Sequence, residues 1–409
     1  MFYVITDLDK DLLRPVSGRD PIGILPIWQY RARDLVPHIT GASRHLDGFH
    51  ILLAALAWWP EFAKTYNQPV KNLTAYFILV EQAFARACTL KNISWQLPGS
   101  RRLVPGCSVI IGLKPEHHLL GGQLQNGVWG IYRSVAESAG LICKNNSVAS
   151  HIIEEIKNKS LVIKQLFVYL IREIKQHSVK GVKIAQRSNH HAVSGLTEII
   201  EKYPFSRLIQ QPFLAPTQPA ATADIVFLMR QQKKSDQFSA ESFLEQAKVS
   251  IPKLNKICQG IIDCERFIAS VESIFDWLCS MESMSHKEAI DKLPVNLENL
   301  RLYHKKFTDS GNFPQNSLAY KRKIMLEKLN FSSKQKLIET VISMHETVCT
   351  ERNSKPWISI KENGQFDIIV PRYEPTEDQL NPITAWRNNY YLDSLFNLTG
   401  QFTRSGVRK

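Results

Sequence analysis

The sequence predicts a mainly α, multi-helical fold of two or three packed units with a small C-terminal β-hairpin. Three observations carry that prediction. Apolar residues recur at helical spacing through most of the chain. The clearest change to an alternating period comes late, around Asn363-Gly364. A chain of 409 residues also exceeds what one ordinary hydrophobic core accommodates. Hydrophobic residues make up 44% and charged residues 22%, the balance of a chain that folds.

The stretches LDGFHILLAALAWWPEFAK and NLTAYFILVEQAFARACTL are apolar around most of their circumference, which predicts two buried helices in a first domain over 1–145. SWQLPGSRRLVPGCSVIIG follows as a loop punctuated by Pro and Gly that holds one short strand. GGQLQNGVWGIYRSVAESAGLI then reads as a helix ending at Gly140, with Val128, Ile131, Val135 and Ala139 on one stripe. A second region, 146–215, begins with the amphipathic helices SVASHIIEEIKN and LVIKQLFVYLIREIKQH. With its following basic stretch, 147–190 is expected to be a winged-helix-like element of two helices and a hairpin. Residues 216–409 read as a helical C-terminal domain, interrupted at Pro252, with a hairpin near 357–370 and a last helix over PITAWRNNYYLDSLFNLTGQF. SSKQKLIETVISMHETVCTER carries serines placed to cap its helix.

Lysine and arginine number 51 against 38 acids, a formal charge of +13. Such an excess predicts a polyanionic partner, because each neutralised phosphate releases counterions. The steepest asymmetry is at 157–187, where Lys157, Lys159, Lys164, Arg172, Lys175, Lys180, Lys183 and Arg187 face one acid, Glu173. The expected nucleic-acid contacts are Arg101 and Arg102 in the Gly/Pro loop; Lys175, Lys180, Lys183, Arg187, His190 and His191 after the two helices; and Lys321, Arg322 and Lys323 at a helix start. Trp95 and Tyr320 stand beside two of these groups and offer stacking on an unpaired base.

The seven cysteines form no CxxC pair. Cys88 and Cys279 lie in apolar helical contexts, which predicts reduced, buried thiols and a cytoplasmic protein. MFYVITDLDKD places acids too early for a secretory signal. The most apolar helix is interrupted by Lys164, Arg172 and Glu173, so no membrane segment is expected.

Chemistry-bearing motifs are sparse. Asp7 and Asp9 have the spacing of a dehalogenase-type phosphohydrolase opening, but Lys10 and Asp11 replace the usual glycine and threonine. HETVC, 345–349, places His345 and Cys349 on one helix face as a two-ligand zinc pair, with Glu346 as base. Glu155-Ile156-Lys157 and Glu173-Ile174-Lys175 supply the ExK of a metal-dependent nuclease, yet both fall in helical patterns where a strand is needed. The histidine pairs 117–118 and 190–191 diverge, as adjacent side chains do. No phosphate-cradling glycine loop and no GxSxG elbow occur, and no cofactor is expected.

GVWGIYRSVAESAGLI, ETVCTERNSKPWISI and WRNNYYLDSLF resemble segments of uncharacterised bacterial accessory proteins encoded in anti-phage and anti-plasmid defence operons. The resemblance implies a subunit working beside a helicase, nuclease or ATPase that supplies the active site. The expectation is therefore a non-catalytic subunit that grips DNA through basic loops or assembles such a complex, in preference to a stand-alone enzyme. Two competing readings are a metal-dependent nuclease or phosphohydrolase and a protein-interaction scaffold without nucleic acid.

Overall fold

The computed structural model describes residues 20–69, 72–104, 109–177, 181–184, 195–214, 222–232, 239–281, 284–310 and 313–405. Among them are eighteen α-helices and two small antiparallel ribbons. In chain order the helices begin with α1 (Leu25–Leu35), α2 (Leu46–Thr65) and α3 (Leu73–Leu90), followed by the strand β1 (Val109–Gly112). Next come α4 (Gln123–Asn126), α5 (Val128–Ser138), α6 (Ser150–Lys159), α7 (Leu161–His177) and β2 (Gly181–Ile184). The middle of the chain forms α8 (Thr197–Lys202), α9 (Ser206–Leu214), α10 (Thr222–Gln232), α11 (Ala240–Ser250) and α12 (Asn255–Ser280). The remainder forms α13 (His286–Lys292), α14 (Leu297–Asp309), α15 (Leu318–Glu327), α16 (Lys334–Glu351), β3 (Ile358–Ile360), β4 (Phe366–Ile368), α17 (Glu377–Leu380) and α18 (Leu392–Ser405). The mainly α class and the C-terminal hairpin expected from the sequence are both present.

The chain makes two compact units that are discontinuous in sequence. Residues up to Leu35 join Gln231–Tyr390, and Val36–Arg230 join the residues from Tyr391 onward. Consecutive divisions at 145 and 215 do not follow these units, because α1 packs against α12 while α18 serves α2.

The unit containing α12 is built around that helix. Its 26 residues bury Phe267, Ile268, Val271, Ile274, Phe275 and Leu278 against α1, α14 and α16. Local sequence sets the helix starts: Ser239, Asn296, Ser317 and Ser333 each accept a backbone N–H of the first turn, and Ser285 with Glu288 makes a reciprocal capping box. Pro252 breaks α11 from α12 through a single 3₁₀ turn, Pro252–Leu254. β3 and β4 pair in register Ile358↔Ile368, Ser359↔Asp367 and Ile360↔Phe366 across the Asn363-Gly364 turn.

The predicted last helix is shorter than its pattern, because the residues ahead of Leu392 do other work. Glu265 of α12 is fully buried, and its carboxylate accepts the backbone N–H groups of Arg387 (2.7 Å) and Asn388 (2.8 Å), the Asn388 amide (3.1 Å) and the Tyr390 hydroxyl (2.5 Å). Arg387 also pairs with Asp276 (2.8 Å) and Glu272 (3.4 Å). Tyr390 and Tyr391 take positive φ, 49° and 63°, which no helix tolerates.

In the other unit α2 is buried at every residue from Leu46 to Trp59. Gly48 permits a close approach: a Cβ there would stand 2.3 Å from the Tyr132 ring of α5. Phe49 meets Tyr132 and Phe213 edge to face, while Trp59, Phe62, Tyr76 and Phe167 form a second aromatic cluster. Gln401 of α18 accepts the Leu46 N–H at 2.9 Å, satisfying an otherwise orphan donor at the start of α2.

Asp47, in the first turn of α2, is buried and accepts the Tyr203 hydroxyl at 2.7 Å. Burial pushes its carboxyl up to about 6, with the Tyr203 bond opposing. The folded state therefore binds a proton that the unfolded chain has lost, and stability falls as pH rises from about 4 to about 6. Asp47→Asn is expected to stabilise the protein above pH 6 by up to about 3 kcal/mol and to be neutral near pH 4, read from the difference between wild-type and variant unfolding curves. Glu265→Ala, which strands four donors that meet a buried carboxylate, is expected to cost about 3 kcal/mol or more by chemical denaturation.

Candidate nucleic-acid interface

The basic groups singled out from the sequence do not form one surface in a single unit, and they differ in environment. Arg101 and Arg102 lie in a 3₁₀ turn, Ser100–Arg102, with both side chains exposed. That turn is firmly built. Trp95 is buried and donates its indole N–H to the Pro98 carbonyl (3.1 Å), and Leu97 and Leu119 are buried beneath the loop. Gly99 enters the turn at φ +96°, a conformation that a side chain would strain. Arg102 donates to the His118 carbonyl at 2.9 Å, which ties the turn to the residues after β1. Trp95 is thus the anchor of this loop and not a free stacking platform.

Two adjacent residues of α3 hold β1 and the start of α5. Gln82 is buried, and its amide both donates to the Gly112 carbonyl (3.0 Å) and accepts the Gly112 N–H (2.8 Å). Gln123 accepts from Gln82 (3.3 Å) and from the Leu119 N–H (3.0 Å). Glu81 accepts the Val128 N–H (3.0 Å), which separates α4 from α5 within the stretch predicted as one helix. Burial pushes Glu81 up to about 7, offset by that N–H and by Gln123. Sequence reasoning missed this network; the available signal was Glu81-Gln82 standing inside an otherwise apolar helix.

β1 pairs antiparallel with β2 in register Val109↔Ile184, Ile110↔Lys183, Ile111↔Val182 and Gly112↔Gly181. The strand after α7 thus takes its partner from before the two helices, where the winged-helix-like expectation placed a local hairpin. The pairing sets the backbone of Lys183 directly beside β1. Lys175 lies on α7. Lys180, Arg187, His190 and His191 lie outside the described residues. Earlier in the basic stretch the charges are matched locally: Lys157 (3.7 Å) and Lys164 (2.6 Å) share Glu61, and Lys159 pairs with Glu155 (2.6 Å). In the sequence the other cations of this stretch are Arg172, Lys175, Lys180, Lys183 and Arg187.

The third group, in the α12 unit, is a correction. Arg322 is 3% exposed, ion-paired with Glu351 and within 3.0 Å of Met325 Sδ. Lys323 is paired with Glu327 on the same helix, and Lys321 with Glu351 at 2.9 Å. Lys321 and Arg322 together hold the Glu351 carboxyl below its usual range. Lys321 and Arg322 tie α15 to α16, and Tyr320 packs against the core of the unit.

HETVC is structural as well. His345 is buried; Nδ1–H donates to the Pro21 carbonyl (2.8 Å), and Nε2 accepts the Trp357 N–H (2.8 Å). Both ring nitrogens are used, and burial holds the ring's pKa below the ordinary histidine value. Cys349, 3.5 Å from Nε2, is a buried thiol pushed up by desolvation, and Glu346 faces outward. Both ExK triplets are helical, Asp7 and Asp9 lie outside the described residues, and no group of three metal-ligating side chains occurs among the described residues. Cys88 is buried and pushed up to about 12, and Cys279 is buried and raised in the same direction, as their apolar contexts predicted. Among the described residues no helix is long and apolar enough to cross a membrane.

The environments of Arg322 and Lys321 predict opposite outcomes. Arg322→Ala is expected to cost about 2–3 kcal/mol, since it removes a buried partner from Glu351. Lys321→Ala is expected to cost less than about 1 kcal/mol. Urea unfolding of the two variants measures the contrast.

No family model matches the chain, and no curated protein and no solved structure matches it either.

Proposed function

We propose that the protein is a non-catalytic nucleic-acid-binding subunit that contacts the phosphate backbone through the β1–β2 ribbon and the Arg101–Arg102 turn. The observation that carries this reading is the strand register. It sets the backbone of Lys183, within the most basic stretch of the chain, beside the strand that follows the exposed arginines. Cations on a pinned turn and a short ribbon lose little freedom on meeting phosphates, and the counterions released supply the affinity. Backbone contact of this kind positions a protein on DNA without reading sequence. The resemblance to accessory proteins of bacterial defence operons fits a subunit whose catalytic partner, a helicase, nuclease or ATPase, is a separate chain.

Fluorescence anisotropy with labelled DNA across a salt series tests the reading. Wild-type affinity is expected to fall steeply as salt rises. Arg101→Ala is the cleaner variant because Arg102 also supports its own loop, and it should lower the magnitude of the log–log salt slope by about 0.7–0.9. A flat salt dependence would remove the phosphate contacts.

A further inference from the structure

Three exposed aliphatic side chains stand close in sequence to Arg101 and Arg102. Val104 is 52% exposed, Ile110 43% and Leu113 47%. Along the chain they stand between the cations Arg101 and Arg102 on one side and Lys114 on the other, and the one acid of the stretch, Glu116, lies 3.5 Å from Lys114. The Arg102–His118 bond ties the arginine turn to the residues after β1, and the 115–117 turn packs back on β1, so the exposed aliphatic and cationic side chains lie on neighbouring segments. Ile111, the neighbour of Ile110, is buried, so the strand turns one isoleucine into the core and the other to solvent.

Phosphate contact needs only the cations. In an intact duplex the phosphates stand outward while base faces are stacked away, so aliphatic side chains placed among the cations would lose water and gain little apolar surface. An unpaired strand presents its base faces together with its phosphates. From this mixture we infer that the site takes single-stranded nucleic acid in preference to duplex, with Val104, Ile110 and Leu113 packing on base faces while Arg101 and Arg102 hold the backbone. The inference rests on the phosphate-contact reading and specifies its substrate.

The test uses the full-length protein and one fluorescein-labelled, mixed-sequence DNA oligonucleotide, alone and as its duplex, at matched salt. The single strand is expected to bind at least about fivefold tighter. Ile110→Ser with Leu113→Ser should erase that preference and leave the salt slope unchanged. Val104→Ser, outside the strand, should reduce the preference even if the double variant does not fold. Salt-dependent binding of equal strength to both forms, or a preference retained in folded variants, overturns this inference and leaves the phosphate contacts standing. Salt-insensitive binding, or none to either form, overturns both. Binding to phosphatidylserine vesicles with no binding to either oligonucleotide would assign the aliphatic side chains to a lipid surface and likewise overturn it.

Discussion

The placement of the basic surface depends on one buried amide. Gln82 sits on a helix that is otherwise almost wholly apolar and grips the Gly112 peptide by its N–H and its carbonyl together. Removing that amide from water is costly, and only a complete set of hydrogen bonds offsets the cost. Gly112 supplies two, and Gln123 extends the network to the Leu119 N–H. β1 is thereby fixed on one side by a side chain and on the other by β2. The arginine turn, tied through Arg102 to His118, inherits its position from the same network. Its neighbour Glu81 sets the start of α5, so two consecutive residues of α3 organise the chain from the arginine turn to Val128.

Much of the fold was legible because it is locally encoded. The serine cap of α16, the break at Pro252, the Asn363-Gly364 hairpin and the buried α2 and α3 all follow from short-range chemistry. What escaped was non-local. Nothing near residue 181 announces that its partner is residue 112, and nothing near residue 390 announces that Glu265, far upstream, will bend the chain there. The two discontinuous units are hidden for the same reason.

The candidate site was legible only as composition. Charge counting found Arg101 and Arg102 and the stretch ending at Arg187, but it could not separate Arg322, whose charge is matched inside the α12 unit, from an arginine in water. Counting also could not see that Lys157, Lys159 and Lys164 are matched by Glu61 and Glu155. The HETVC motif fails on geometry, since a histidine with both nitrogens occupied by backbone groups has no lone pair to give. A buried ion pair and a solvated cation look alike in sequence, and burial alone tells them apart.

The central claim is that polyanions meet the surface built on β1 and not the lysine–arginine run of α15. Hydrogen–deuterium exchange with and without a single-stranded oligonucleotide examines both places in one experiment. The account predicts slowed exchange across residues 99–118 and 181–184 with α15 unchanged. Protection confined to α15, or no protection at β1 under conditions where the oligonucleotide is bound, would contradict it.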